Sequence, residues 1–256
     1  MSAERQIGLA AERRIGPAAE RQIGPARLIL GDCRTVLPAL DCTGAVIVTD
    51  PPYGTGGRRR SAPGAGSTPH GTIVREAWDD GATDWLGLTD APVLAFWPTC
   101  RLLPLLVAAA RTGRTKHRAL FMHKRDPMPQ FGGRMKYAIE PIWALSRPGF
   151  VLRNGTEWVT CSTPRAHRDT EAVGHPYQKP VAVMTWLLEK LGAVAIVDPF
   201  MGSGSTGVAA IRLDRPFVGI EQDAKWYAVA CRRIEAAQRR RDAERRQAGG
   251  QADDAA

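Results

Sequence analysis

Ala45-Val46-Ile47-Val48-Thr49-Asp50-Pro51-Pro52-Tyr53 and Ala193-Val194-Ala195-Ile196-Val197-Asp198-Pro199-Phe200-Met201-Gly202-Ser203-Gly204 share one local design, an apolar run that ends on aspartate and proline. Short apolar runs bounded by turn residues read as buried strands. Each aspartate then sits at the C-terminal mouth of a strand, next to a proline that fixes φ and offers no N–H. The first site continues into a second proline and an aromatic ring. The second continues into glycines, which let a backbone approach a ligand closely, and then into a helix. Two strand-end sites of different chemistry on one sheet predict a substrate pocket beside a cofactor pocket.

Working outward, Leu28–Leu30, Pro92–Trp97, His117–His123 and Phe217–Ile220 are further expected strands. Helices are expected over 34–40, 101–111, 181–191, 206–213 and 223–246, and Tyr137–Leu145 with Phe150–Leu152 reads as a hairpin-like pair. Strands alternating with helices predict an α/β fold, a doubly wound and mostly parallel sheet. The folded domain is expected over 27–247. Ahead of it, an eight-residue repeat (Ala3-Glu4-Arg5-Gln6-Ile7-Gly8, then units from Ala11 and Ala19) predicts a disordered extension over 1–26. A second disordered tail is expected over 248–256. Residues 54–75, rich in Gly, Pro, Ser and Arg, predict a mobile loop directly after Tyr53. The turn-rich, basic segments 124–136 and 153–174 predict a small recognition insertion.

The chain of 256 residues carries a formal charge of +9, which favours a polyanionic partner through phosphate neutralisation. Its five cysteines are widely spaced, with no Cys-x-x-Cys pair, which argues against a zinc ribbon or a disulfide framework. A reduced, cytoplasmic setting is expected. No histidine spacing points to a metal site, no apolar run approaches a membrane span, and the N-terminus lacks a secretory h-region.

Gly202-Ser203-Gly204-Ser205-Thr206-Gly207 also fits Gly-x-Gly-x-x-Gly, with Glu221 about twenty residues on, which by itself allows a dinucleotide site. A phosphate-loop NTPase is disfavoured, because no lysine precedes Ser205 or Thr206. Asp32, after Leu28–Leu30, is either a third strand-end acid or the cap of the helix that follows.

Taken in order, Gly31-Asp32-Cys33, Asp50-Pro51-Pro52-Tyr53, His175-Pro176-Tyr177-Gln178-Lys179-Pro180 and Asp198 to Gly204 resemble the DNA amino-methyltransferases, over roughly residues 27 to 235. Tyr177 departs from the small polar residue usual in that family. The catalytic tetrapeptide precedes the cofactor glycines, as in the circularly permuted beta class. This resemblance implies a permuted, Rossmann-like fold, S-adenosyl-L-methionine as cofactor and double-stranded DNA as substrate. It implies methyl transfer to adenine N6, because aspartate at the first position of the tetrapeptide is commoner in those enzymes and serine in cytosine-N4 enzymes. Cytosine N4 is the alternative reaction, and a catalytically silent DNA-binding protein of the same fold is the alternative of another class. Asp50 and the Pro51 carbonyl would accept the amine N–H groups, Pro52 would stiffen the turn, and Tyr53 would stack on a flipped base. Asp32, Lys179, Asp198, Pro199, Phe200, Gly202, Ser203, Gly204, Thr206 and Glu221 would hold the cofactor. Arg58, Arg59, Arg60, Lys124, Arg125, Arg134, Lys136, Arg165 and Arg168 are the expected DNA contacts. A homodimer and a cognate restriction endonuclease are the protein partners that the resemblance implies.

Overall fold

In the computed structural model the chain runs through β1 (Glu20–Ile23), β2 (Ala26–Leu30), α1 (Cys33–Val36), β3 (Ala45–Thr49), β4 (Val93–Phe96), α2 (Leu102–Arg111) and β5 (Lys116–Lys124). It continues through β6 (Ile139–Ser146), β7 (Trp158–Cys161), α3 (Val181–Glu189), β8 (Ala195–Asp198), α4 (Ser205–Arg212), β9 (Phe217–Glu221) and α5 (Ala224–Asp253). The structure describes residues 19–53, 82–125, 127, 138–153, 155–162, 173, 175 and 177–253, with side chains as far as 248. Arg58, Arg59, Arg60, Arg134, Lys136, Arg165 and Arg168 lie outside the described residues, as does the expected mobile loop.

These strands form one sheet in the order β1-β2-β9-β8-β3-β4-β6-β5-β7. From β2 to β4 every neighbouring pair is parallel. Only β1 and β6 run against the rest. Side chains alternate across a strand, and both faces here are apolar. Leu28, Val46, Val48, Leu94, Phe96 and Ile196 join α3, α4 and α5 in one core. Ile29, Ala45, Ile47, Val93, Ala95 and Val197 join α1 and α2 in the other. The doubly wound, mostly parallel architecture read from the apolar runs is therefore present.

From β3 the chain proceeds to β4 on one side; from β8 it proceeds to β9 on the other. The gap between β3 and β8 is thus a topological switch point, where open α/β sheets bind ligands at the carboxyl ends of their strands. Both aspartate turns open at that gap.

Several boundaries differ from those read in the sequence. Glu20–Ile23, placed in the disordered extension, is a strand paired with β2, turning at Gly24 with φ +52. Ile23 is buried there, so the third copy of the repeat gains a sheet edge as its partner. The last helix runs on to Asp253, past the expected start of the tail. β6 pairs with β5 rather than with Phe150–Leu152, whose apolar side chains instead pack on the core. Trp158–Cys161, inside the expected recognition segment 153–174, is an edge strand on β5. Among the described residues no helix is long and apolar enough to cross a membrane.

The third glycine of the Gly-x-Gly-x-x-Gly run serves packing. A Cβ on Gly207 would stand 2.5 Å from Ile234 Cδ1 and 2.8 Å from the Phe217 ring. Gly192 has open space around the same position. Gly207→Val is expected to cost about 1–3 kcal/mol through overpacking. It should lower Tm by several degrees in a thermal melt, with Gly192→Ala close to wild type.

Candidate active site

Asp50 stands one residue past β3, and its carboxylate is fully engaged. Lys179 Nζ lies 2.8 Å from Oδ2, and the Tyr53 hydroxyl donates to Oδ1. The Tyr53 ring meets Trp97 edge to face, with centroids 5.7 Å apart. Burial pushes the Asp50 carboxyl above its ordinary range, against the pull of the Lys179 ammonium. Burial also raises the Tyr53 phenol, and the Asp50 charge adds to it. The site therefore holds a carboxylate whose charge is costly to keep and closely managed.

Lys179, expected beside the cofactor, is placed by the structure beside Asp50. Its ammonium bridges Asp50 and Glu140, at 2.6 Å from Glu140 Oε1, and lies 4.7 Å from the Phe96 ring centroid. Residues 177–180 lead it there, and α3 begins immediately afterwards. Glu140 sits on β6 and also receives Lys124 at 2.8 Å. Burial would raise Glu140, but Lys179 and Lys124 outweigh it and hold the carboxyl below its usual range. Lys124, expected to contact DNA, is thus committed to Glu140. Arg125 is exposed at the end of β5.

One strand away, Asp198 is 2% exposed. The Thr206 hydroxyl donates to Oδ2 at 2.6 Å, the Thr49 hydroxyl to Oδ1 at 2.7 Å, and the Phe200 N–H to Oδ1 at 3.1 Å. Hydroxyls and a backbone donor hold these oxygens, not a cation. Burial pushes the carboxyl up to about 6, despite those donors. Asp198 and Thr206 therefore shape the turn from beneath.

The turn itself is pinned on both sides. Gly202, at φ +53, donates its N–H to Glu221 Oε2 at 2.7 Å. Gly204, at φ +81, is the N-cap of α4. Both conformations suit glycine, which has no Cβ to clash. Arg233 of α5 donates to the Ser203 carbonyl at 2.6 Å, so Ser203 faces protein. Pro199 is buried, and Phe200 meets Trp85 edge to face at 5.7 Å. His175 stacks edge-on with Trp226 at 4.3 Å, close to Gly202. Burial, then the Lys179 charge, lowers that imidazole to about 4 and keeps it neutral. Glu221 keeps a partly exposed carboxylate at the mouth of β9, raised by burial. Asp32, across the β2–β9 pair, caps α1 by accepting from Arg34 N at 2.9 Å, and it pairs with the Arg34 guanidinium at 2.6 Å. Asp32 thus caps the helix while standing at the mouth of β2.

Sequence reasoning passed over Glu140, Thr49, Trp97 and Trp226, and read Arg233 only as part of a basic helix. Glu140 had a signal, as the one acid in the otherwise apolar run Ile139-Glu140-Pro141-Ile142-Trp143. The others depend on which strands and helices become neighbours.

Residues 134–232 match the model of a family described as DNA methylase. A Type II methyltransferase of Streptococcus pneumoniae, M2.DpnII, is 43% identical over 68 residues, which are 24% of this chain and 24% of the relative. M2.MboI of Moraxella bovis is 40% identical over 63 residues, 23% of this chain and 22% of the relative. The match thus spans about a quarter of these curated relatives. The fold resembles M1.HpyAVI, solved as a complex with SAM, at TM-score 0.62 and 19% identity, covering 82% of this chain and 98% of that one. It also resembles the cytosine-N4-specific PvuII DNA methyltransferase at TM-score 0.61 and 14% identity, covering 82% of this chain and 86% of that one. The matched segment and the ordered motifs liken this chain to the DNA amino-methyltransferases, and the solved structures share its fold.

Proposed function

We propose that the chain transfers a methyl group from S-adenosyl-L-methionine to the N6 amino group of adenine in double-stranded DNA. The observation that carries this reading is the Thr49–Asp198 hydrogen bond, which sets the Asp50 turn directly beside the glycine turn. A base amine held at Asp50 and a cofactor held at Gly202 would then be neighbours.

The donor set fits this cofactor. Asp198 gives the turn a negative potential with no cation bound to its oxygens, which suits an ammonium and opposes a pyrophosphate. Glu221 retains lone pairs for ribose hydroxyls, and Asp32 borders the adenine end from the mouth of β2. Phe200, Gly202, His175 and Trp226 line the part of the turn that solvent reaches. When bound, S-adenosylmethionine supplies an electrophilic methyl group. The protein's part is to orient the amine and localise its lone pair. Asp50 accepts one N–H and the Pro51 carbonyl the other, while the two prolines keep the turn stiff. Tyr53 leaves Asp50 and stacks on a base flipped out of the duplex, and its hydroxyl is replaced by the substrate amine. Asp50 needs no strong basicity, because the amine becomes acidic as it is alkylated.

Aspartate at position 50 favours adenine. Cytosine N4 is the alternative, since the fold likeness is equal for an enzyme named as cytosine-N4-specific. Arg125, with Arg58, Arg59, Arg60, Arg134, Lys136, Arg165 and Arg168, is assigned to DNA phosphates and base edges. A homodimer, a cognate restriction endonuclease and a cytoplasmic setting belong to the same proposal.

Incubation with unmethylated genomic DNA and methyl-labelled cofactor, followed by nucleoside mass spectrometry, should place label in N6-methyldeoxyadenosine. Label only in N4-methyldeoxycytidine moves the reaction to the alternative. No label in DNA, with cofactor binding shown separately, contradicts the proposal.

Asp198 gives a second expectation. Its folded pKa of about 6 lies above the unfolded value, so its protonation stabilises the fold at low pH. That stabilisation, about 3 kcal/mol, is full below about pH 4 and lost as pH rises through 6. Asp198→Asn should therefore melt near wild type at pH 4 and higher than wild type at pH 7.5. The same variant should bind S-adenosylmethionine more weakly by calorimetry at pH 7.5. Unchanged affinity would remove Asp198 from the cofactor site.

A further inference from the structure

Four charges alternate in a continuous file from the sheet into the catalytic turn. Lys124 on β5 reaches Glu140 at 2.8 Å, Glu140 on β6 reaches Lys179 at 2.6 Å, and Lys179 reaches Asp50 at 2.8 Å. Their side chains are between 12% and 25% exposed, so solvent screens the file weakly. Each inner member has an opposite charge on both sides, and each carboxylate oxygen of Glu140 has its own ammonium. Removing one member leaves a buried neighbour unbalanced.

We propose that Glu140 is a positioning residue for Asp50, acting through Lys179, with Lys124 as its anchor on the far side. This rests on Asp50 being the acceptor for the substrate amine. Lys179 has three N–H donors, and left to Asp50 alone it could rotate across both carboxylate oxygens. Glu140 takes one donor away from Asp50 and holds the ammonium at Oδ2. Oδ1 is then reserved for the Tyr53 hydroxyl in this structure and for the amine in the complex. Glu140 also draws off part of the ammonium's field. Asp50 consequently stays a better acceptor than a carboxylate in a simple buried ion pair.

The charged and titratable groups around Asp50 come from four directions. Tyr53 faces it from its own turn, Lys179 from the segment before α3, and Glu140 from β6. Asp198 lies across Thr49 on β8, while β4 contributes the apolar Phe96 beside Lys179. The sign of each perturbation follows. Loss of the Glu140 charge removes a repulsion from the Asp50 anion, so Asp50 ionises at lower pH. Loss of the Lys124 charge leaves more negative potential in the file, so Asp50 ionises at higher pH.

Single-turnover methylation of duplex DNA at saturating S-adenosylmethionine, measured across pH, tests the proposal in Glu140→Gln, Lys124→Met and Asp50→Ala. Glu140→Gln should slow the methyl step about tenfold to a hundredfold while leaving cofactor Kd within about twofold. Its acid limb should move to lower pH, and that of Lys124→Met to higher pH. A general loss of packing does not produce opposite displacements. Wild-type rates and acid limbs in both variants, with Asp50→Ala inactive, overturn the role of Glu140 and leave Asp50 in place. Displacements in the same direction overturn it as well. A fully active Asp50→Ala instead removes the acceptor on which the proposal rests. Should Glu140→Gln fail to fold, Lys124→Met decides alone, and an unmoved acid limb overturns the proposal.

Discussion

The fully buried Thr49 hydroxyl donates to the carboxylate of Asp198 at 2.7 Å, and the juxtaposition of the two aspartate turns depends on that bond. It joins the ends of two parallel strands separated by about 150 residues of chain. The chain leaves β3 in one direction and β8 in the other, which makes their carboxyl ends a topological switch point. A carboxylate turn and a glycine turn are thereby held side by side at fixed spacing. Asp198 is poorly solvated there, which disfavours its charge, and three donors from its surroundings offset only part of that cost. The glycine turn is built around this compromise.

Around that bond the two turns are supported in different ways. The glycine turn is pinned by hydrogen bonds to backbone and hydroxyl groups, through Glu221, Arg233 and Thr206. The Asp50 turn is supported by charge, through Lys179, Glu140 and Lys124. Buried ion pairs contribute little net stability against apolar packing, but they fix orientation. The aromatic residues follow the same division. Trp97 backs Tyr53, while Trp226 and Trp85 flank the cofactor turn through His175 and Phe200.

Much of this was legible in the amino-acid order because it is local. Apolar runs before Asp50 and Asp198 gave β3 and β8, and the glycines gave the turn at α4 without any knowledge of neighbours. What could not be read depends on pairing across long stretches of chain. The expected hairpin at Ser146–Gly149 failed because β6 finds β5 on its other side, leaving Phe150 and Leu152 to pack on the core. Lys179 belongs to a motif associated with the cofactor, yet its side chain reaches Asp50 because β6 brings Glu140 alongside. Glu20–Ile23 has the same local sequence as Glu4–Ile7, and its pairing with β2 depends on a neighbour that the repeat itself does not reveal. Asp32 was ambiguous in sequence, and in the structure it caps α1 and pairs with Arg34 two residues on.

A crystal structure of the protein with S-adenosylmethionine bound tests the central claim most directly. The account places the amino-acid end at the Asp198–Gly202 turn, the ribose at Glu221, and the sulfonium methyl pointing into the space in front of Asp50 and Tyr53. A cofactor bound away from the β3–β8 crevice, or with its methyl group turned from Asp50, would contradict it.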